Sequence, residues 1–171
     1  ELIAQTLPVS MMLGATAFAI AVMGGSVLGI CAAAAHNRPT DYALMVLALV
    51  GVSLPSFILG PLLMLVFSFW LGWFPVGGWG ELRQLWLPAF ALSLPYMAYI
   101  TRLVRVSMLE VLGEDYVRTA RSKGVPEGRV LFVHAFRNAA LPLVSYSGPL
   151  AANILTGSLV VETIFNVPGM G

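Results

Sequence analysis

Charge is what this sequence has least of. Only 10% of its 171 residues are Asp, Glu, Lys or Arg, where a water-soluble domain carries about 25%. So few charges cannot cover a surface facing water, and with 58% apolar residues lipid is the expected solvent. The formal net charge of +1 leaves no global basic field of the kind that attracts nucleic acid. One cysteine, Cys31, excludes an intramolecular disulfide framework and a multi-cysteine metal site; it reads as a small buried hydrophobe. The one lysine, Lys123, is followed by Gly124 and Val125, so the chain has no G-x-x-x-x-G-K-[ST] phosphate loop. His36 and His134 each lack a neighbouring partner in an apolar segment, which leaves an intramembrane enzyme without a nucleophile–base pair or ligand set. His36 reads as an interfacial polar residue.

What is present is a series of long apolar runs. About 20 such residues cross the hydrocarbon core, and the pattern predicts an all-α polytopic membrane protein with about four spans, near 7–35, 42–70, 87–104 and 139–161. Gly25 and Gly29 stand four apart in the first, a spacing that admits a close neighbouring helix, although a merely Gly/Ala-rich span reads equally well. Pro55 and Pro61 interrupt the second, where each removes a backbone hydrogen bond and kinks the helix. Trp70, Trp73, Trp79 and Trp86 flank one loop and read as an aromatic belt at one interface. The span centres hold no Asp, Glu, Lys or Arg, so proton pumps, voltage sensors and ion-coupled carriers are poor fits. Neutral polar residues remain for a passage: Ser53 with Pro55, Ser93, Tyr96, Tyr99, Tyr146, Asn153 and Thr156.

The charges gather instead between the third and fourth spans. Residues 102–137 hold seven of the nine basic residues and four of the eight acids. With Arg38 this puts eight basic residues on one side and Arg83 alone on the other, so the 105–138 loop is expected in the cytoplasm. Glu114 precedes Arg118 by four, the favourable order for a helical pair. Val117, Ala120 and Gly124 form a narrow stripe of small groups, suited to a shallow groove in another protein. Gly124 stands where a helix ends left-handed, and Pro126 suits the start of another. Val130, Leu131, Val133 and Phe136 supply that second helix with an apolar face. Two short helices meeting at a glycine corner are more than a connector requires.

Here the chain resembles a known family. The stretch Tyr116-Val117-Arg118-Thr119-Ala120-Arg121-Ser122-Lys123-Gly124, followed by His134-Ala-Phe-Arg-Asn138, resembles the cytoplasmic loop of binding-protein-dependent ABC importer permeases, in their dipeptide/oligopeptide branch. Gly51-Val-Ser-Leu-Pro-Ser-Phe57, Leu141-Pro142, Ser145-Tyr-Ser-Gly-Pro149 and Gly157-Ser-Leu-Val-Val-Glu-Thr-Ile164 with Pro168-Gly169 extend the likeness in family order. Arg118 and Thr119 stand where the general loop motif has Glu and Ala, and Leu141-Pro142 lies farther from the glycine than in that motif.

The resemblance implies the type I permease fold and a multi-pass place in the bacterial inner membrane. It implies as partners a second homologous permease subunit, two cytoplasmic ATPase subunits and an external substrate-binding protein, besides membrane lipid. The loop would insert its first helix into a groove on an ATPase, with Tyr116 to Ala120, Arg121, Lys123 and Gly124 as the coupling residues. No cofactor is expected on this chain, because ATP and Mg belong to the partner subunits, and neither catalytic nor metal-binding residues are expected. The cargo would be an oligopeptide or dipeptide, with a nickel complex or a passive channel as alternatives. Glu1 is not an initiator methionine and Pro168-Gly-Met-Gly171 reads as a turn leading onward. An internal piece of a longer protein, without the family's first and last spans, is therefore expected.

Overall fold

A computed structural model describes residues 2–156 and 159–170, all of it helix, turn and irregular connection. Among the described residues two unbroken helices are long and apolar enough to cross a membrane, α1 (Leu2–Ala34) and α4 (Leu82–Leu112). They pack side by side, and the small residues of α1 are the reason. A Cβ on Gly25 would lie 2.7 Å from Cβ of Ile100 and 2.8 Å from the Met97 carbonyl oxygen. One on Gly29 would lie 2.7 Å from the Thr101 carbonyl oxygen and 2.8 Å from Cβ of Val104. The Gly25–Gly29 spacing is thus a packing seam. Leu13, Ala17, Ala21 and Ile30 of α1 are buried with Ile100, Val104 and Met108 of α4.

The i, i+4, i+8 run Ile100–Val104–Met108 also explains why α4 continues past residue 104, where the apolar run was expected to stop. Its buried face persists to the turn after Leu112 while the outer face turns polar, so the non-helical corner begins only at Gly113. A second difference lies in the 42–70 region. Here α2 (Pro39–Ser53) and α3 (Ser56–Leu63), which runs on as a π-helical segment to Trp70, meet at 111°. Leu54 and Pro55 are both extended, and Pro55 has no N–H to continue the ladder. The 42–70 run, expected as a proline-kinked span, is therefore bent sharply into two arms.

The 139–161 region is likewise divided. After α5 (Asp115–Ser122), α6 (Glu127–Arg129), a π-helical turn Val130–Ala135 and α7 (Phe136–Ala139) come α8 (Leu141–Leu155) and α9 (Leu159–Ile164). Fifteen residues of α8 reach about 22 Å at 1.5 Å per residue, short of the ~30 Å hydrocarbon core. α8 packs on α1 and α4 through Leu143, Leu150 and Ile154, and α9 packs on α3. Gly157 and Ser158 of the Gly157–Ile164 motif lie outside the described residues. Cys31 is exposed rather than buried; against lipid an apolar side chain gains little from turning inward.

The two ends of α1 carry different chemistry. Near its start, Ser10 Oγ donates to Glu162 Oε1 at 2.8 Å and accepts from the Met170 N–H at 2.8 Å, while the Gly78 N–H donates to the Phe165 carbonyl at 2.9 Å. Trp70, Trp73 and Trp86 are exposed around this end, whereas Trp79 packs on the core. The other end, some 39 Å along the helix at 1.5 Å per residue, holds the 36–41 turn and the loop after α4.

Gly29→Val should force α1 away from α4 and cost about 1–3 kcal/mol by overpacking. Gly148→Ala, where a Cβ meets nothing within 4 Å, should be neutral. Thermal unfolding of the two purified variants in detergent checks this; a Gly29→Val protein melting with the wild type would remove the seam.

Candidate functional site

The loop after α4 is built from its corner outward. Gly113 and Glu114 leave the α4 axis, and Glu114 becomes the N-cap of α5 with extended backbone angles of −72° and 149°. That geometry turns its side chain off the helix surface, so the expected Glu114–Arg118 pair does not form. Arg118 Nη1 lies instead 3.6 Å from Asp115 Oδ1, one turn back, and both groups are exposed. α5 ends at Ser122, and Gly124 takes φ +77° with nothing within 4 Å of where a Cβ would stand. This is the left-handed stop expected of it. Pro126 then opens the next helix.

An ion pair closes the corner. Arg121 donates through Nε to Glu127 Oε2 at 3.2 Å and through Nη2 to Glu127 Oε1 at 2.8 Å. These hydrogen bonds hold the Glu127 carboxyl below its ordinary value, with partial burial opposing, and raise the Arg121 guanidinium. Tyr116 fixes the other side. Its hydroxyl accepts from Asn138 Nδ2 at 2.9 Å and points its proton toward the His134 carbonyl at 3.5 Å. The two halves of the loop motif, separated by 22 residues, therefore meet at one oxygen.

The small-residue stripe divides between the inside and the outside. Val117 is fully buried, Ala120 is half-buried and only Gly124 is exposed. An eight-residue helix with one apolar edge lays that edge on its own protein, because α5 would otherwise have no apolar contact to hold it. What α5 offers outward is polar: Arg118, Thr119, Arg121, Ser122 and Lys123 are exposed, with Tyr116 at the edge. The second helix departs from expectation too. Val130, Leu131 and Ala135 are buried and Phe136 is half-buried, but Val133 is 56% exposed. The π-helical turn Val130–Ala135 supplies the reason, since its wider winding rotates Val133 off the face a 3.6-residue period gives it.

A second cluster at this end was missed in the sequence. Arg105 of α4 donates through Nε to Asp41 Oδ1 and through Nη2 to Asp41 Oδ2, both at 2.7 Å. The Asp41 side chain is 1% exposed, and it also accepts from the Asn37 N–H at 3.1 Å. His36 Nδ1 lies 3.3 Å from Arg105 Nη2 and 3.7 Å from Asp41 Oδ2, so His36 belongs to a charged cluster rather than standing alone at an interface. The partners are 64 residues apart, and no short-range pattern joins them. Removing one member of a buried pair typically costs about 3–5 kcal/mol, since the other is left uncompensated.

The neutral polar residues considered for a passage are scattered. Tyr99 and Tyr146, from α4 and α8, meet with ring centroids 4.6 Å apart, and Tyr96 is half-buried. Ser93 is buried and donates to its own helix at the Phe90 carbonyl, 2.8 Å away. Ser53 and Pro55 are exposed at the α2–α3 break, and Asn153 and Thr156 at the end of α8. Among these residues only the tyrosines form a group. A cleft of about 410 Å³ lies among Phe67, Trp73, Phe74, Trp86 and Phe90, with apolar side chains for its lining. No group of three or more His, Cys, Asp or Glu side chains arranged to hold a metal occurs among the described residues.

A helical bundle with membrane-crossing elements and an ordered, basic helix–glycine–helix loop at one end defines a multi-span membrane subunit. The chain belongs to the family described as binding-protein-dependent transport system inner membrane component, which its residues 25–171 match. It is 49% identical over 173 residues to the oligopeptide transport system permease protein OppB of Salmonella typhimurium, and 48% identical over the same length to OppB of Escherichia coli K12. It is 47% identical over 171 residues to the dipeptide transport system permease protein DppB of Bacillus subtilis. Each match covers the whole chain and 56% of the relative, so the chain spans about half the length of these curated proteins.

The Arg121–Glu127 pair makes a titration testable. Glu127's folded value lies below its ordinary 4.5, so the pair's contribution is complete above about that pH and is lost as pH falls through the depressed value. Both groups are more than a third exposed, which limits the contribution to at most about 1 kcal/mol. Carboxyl NMR of Glu127 should show a midpoint below 4.5, moving up toward it in Arg121→Gln. An unchanged midpoint in that variant means the pair does not form in solution.

Proposed function

We propose that this chain supplies part of the membrane passage of an ATP-driven importer of oligopeptides or dipeptides. The loop of 113–138 is its contact with separate ATPase subunits. The observation that carries the reading is the Gly124 corner. A short helix is stopped at positive φ, fastened by Arg121–Glu127 and Tyr116–Asn138, and set at the basic end of the bundle. The oligopeptide and dipeptide permeases at 45–49% identity point the cargo toward peptides. A nickel complex or a passive channel has no comparable support.

In this reading ATP and Mg are used by the partner subunits, and this chain has no phosphate loop of its own. An external binding protein delivers the peptide, and a second permease subunit completes the passage, with the Tyr99–Tyr146 pair as this chain's wall. Because Val117 lies inward, the ATPase groove meets the polar face of Arg118, Thr119, Ser122 and Lys123, beside Ala120 and Gly124. The basic end faces the cytoplasm of a bacterial inner membrane, and the tryptophan-rich end faces outward.

Orientation is checked by labelling. In a background without Cys31, Leu82→Cys should react with an impermeant reagent from outside and Ser122→Cys only after permeabilisation. Labelling of both from one side contradicts the topology.

Coupling is checked at Gly124. Gly124→Val has space for its side chain but is strained by about 1–2 kcal/mol at this φ, small beside the stability of the bundle. The variant should reach the membrane in normal amounts and assemble. A coupling loss of ~1.4 kcal/mol is a tenfold shift, so peptide moved per ATP should fall about tenfold. Gly124→Asn, which tolerates positive φ, should retain most of the activity. Wild-type transport per ATP in Gly124→Val would reduce the loop to a connector.

A further inference from the structure

We propose that Asp41 and Arg105 are a positioning pair that makes α2 move with α4, so that a push on the 113–138 loop is carried to the α2–α3 break. The proposal rests on the transport reading above and adds the route by which the loop acts on the bundle. α4 is unbroken from Arg105 to Leu112, and only Gly113 and Glu114 separate it from α5. Val117 buries the base of α5 against the body, so a tilt of α5 is also a tilt of the end of α4.

Arg105 grips Asp41 with two 2.7 Å hydrogen bonds in a fixed fork. The grip is itself braced: the Asn37 N–H, presented at φ +60°, holds Asp41 Oδ2, and His36 closes over Arg105 Nη2. Asp41 lies in the first turn of α2, which then runs as one rod to Ser53. At Leu54–Pro55 the rod ends in an extended joint and a 111° bend, beyond which α3 packs on α9. The pair fixes the start of this rod to α4. The rod packs on α4 again at Gly51, where a Cβ would lie 3.4 Å from Cβ of Ala98, so a displacement of α4 is carried along α2 to its joint. Stability alone gives little reason for a charged pair here, because well-packed apolar groups of the same volume commonly stabilise as well or better. A bidentate pair instead fixes direction as well as distance.

The test uses the full-length permease assembled with its ATPases and binding protein in vesicles. Arg105→Gln leaves the buried Asp41 carboxylate without its partner and Asp41→Asn leaves the half-buried Arg105 without its own, so both assembly and transport should fall, more in Arg105→Gln. The double variant D41N/R105Q leaves no unpaired charge. Its melting and membrane amount should return toward wild type, while peptide moved per ATP stays at least tenfold lower, because two amides hold the corner more loosely. Spin labels give a readout that a purely structural role would not move. In the wild type, ATP should change the distance between exposed positions 46 and 57, across the joint, and leave that between 46 and 122 unchanged. In the double variant the 46–122 distance should change instead.

Should the double variant fail to assemble, Arg105→Lys decides the matter. It keeps the charge but loses the fork, and is expected to melt normally with several-fold less peptide per ATP. Wild-type transport per ATP in D41N/R105Q or in Arg105→Lys overturns the positioning role alone. A wild-type complex that moves no peptide overturns the transport reading, and this proposal with it.

Discussion

The close approach of α1 to α4 is the constraint on which the rest of the structure depends. Lipid tails are as apolar as leucine, so no hydrophobic gain draws these helices together, and packing must do it. Gly25 and Gly29 let the α1 backbone come against Met97, Ile100, Thr101 and Val104 at distances that any side chain would prevent. Once the two long helices are joined, both ends of the bundle are set. At one, Ser10 meets Glu162 and the 165–170 turn; at the other, the start of α2 comes within reach of Arg105.

Charge placement then divides the labour. Ions are costly in hydrocarbon, and most of this chain's charges lie in the C-terminal part of α4 and the loop that follows it. The pair Asp41–Arg105, a buried carboxylate held bidentately by a half-buried guanidinium, sits at the end where the loop leaves α4. The loop's own charges are solvated and cheap to hold, and they serve as surface: Arg118 and Lys123 outward, Arg121 and Glu127 across the glycine corner. Rigidity at the pair and exposure at the loop are complementary properties of one end of the molecule.

Much of the fold was legible because its signals are local. The length of the apolar runs marks α1 and α4, the glycine–proline punctuation marks the corner at 124–126, and Gly25–Gly29 marks a seam without naming its partner. Where the reading departed from the structure, the cause was a change of local geometry that composition does not carry. Leu54 and Pro55 turn a kink into a 111° bend. The extended N-cap at Glu114 redirects Arg118 to Asp115. The π-helical turn removes Val133 from the buried face.

The sequence by itself determined the solvent, the helical class, the basic loop with its left-handed glycine and the family to which the chain belongs. Each of these rests on composition or on residues within a turn or two of each other, where the physics is short-ranged. Only the tertiary structure decided which groups meet across the chain: Asp41 with Arg105, Tyr116 with Asn138, Tyr99 with Tyr146, and Val117 with the body of its own protein instead of a partner. These contacts depend on how helices dozens of residues apart are brought into register by packing, and a period of 3.6 residues says which side of a helix is apolar but not what that side faces.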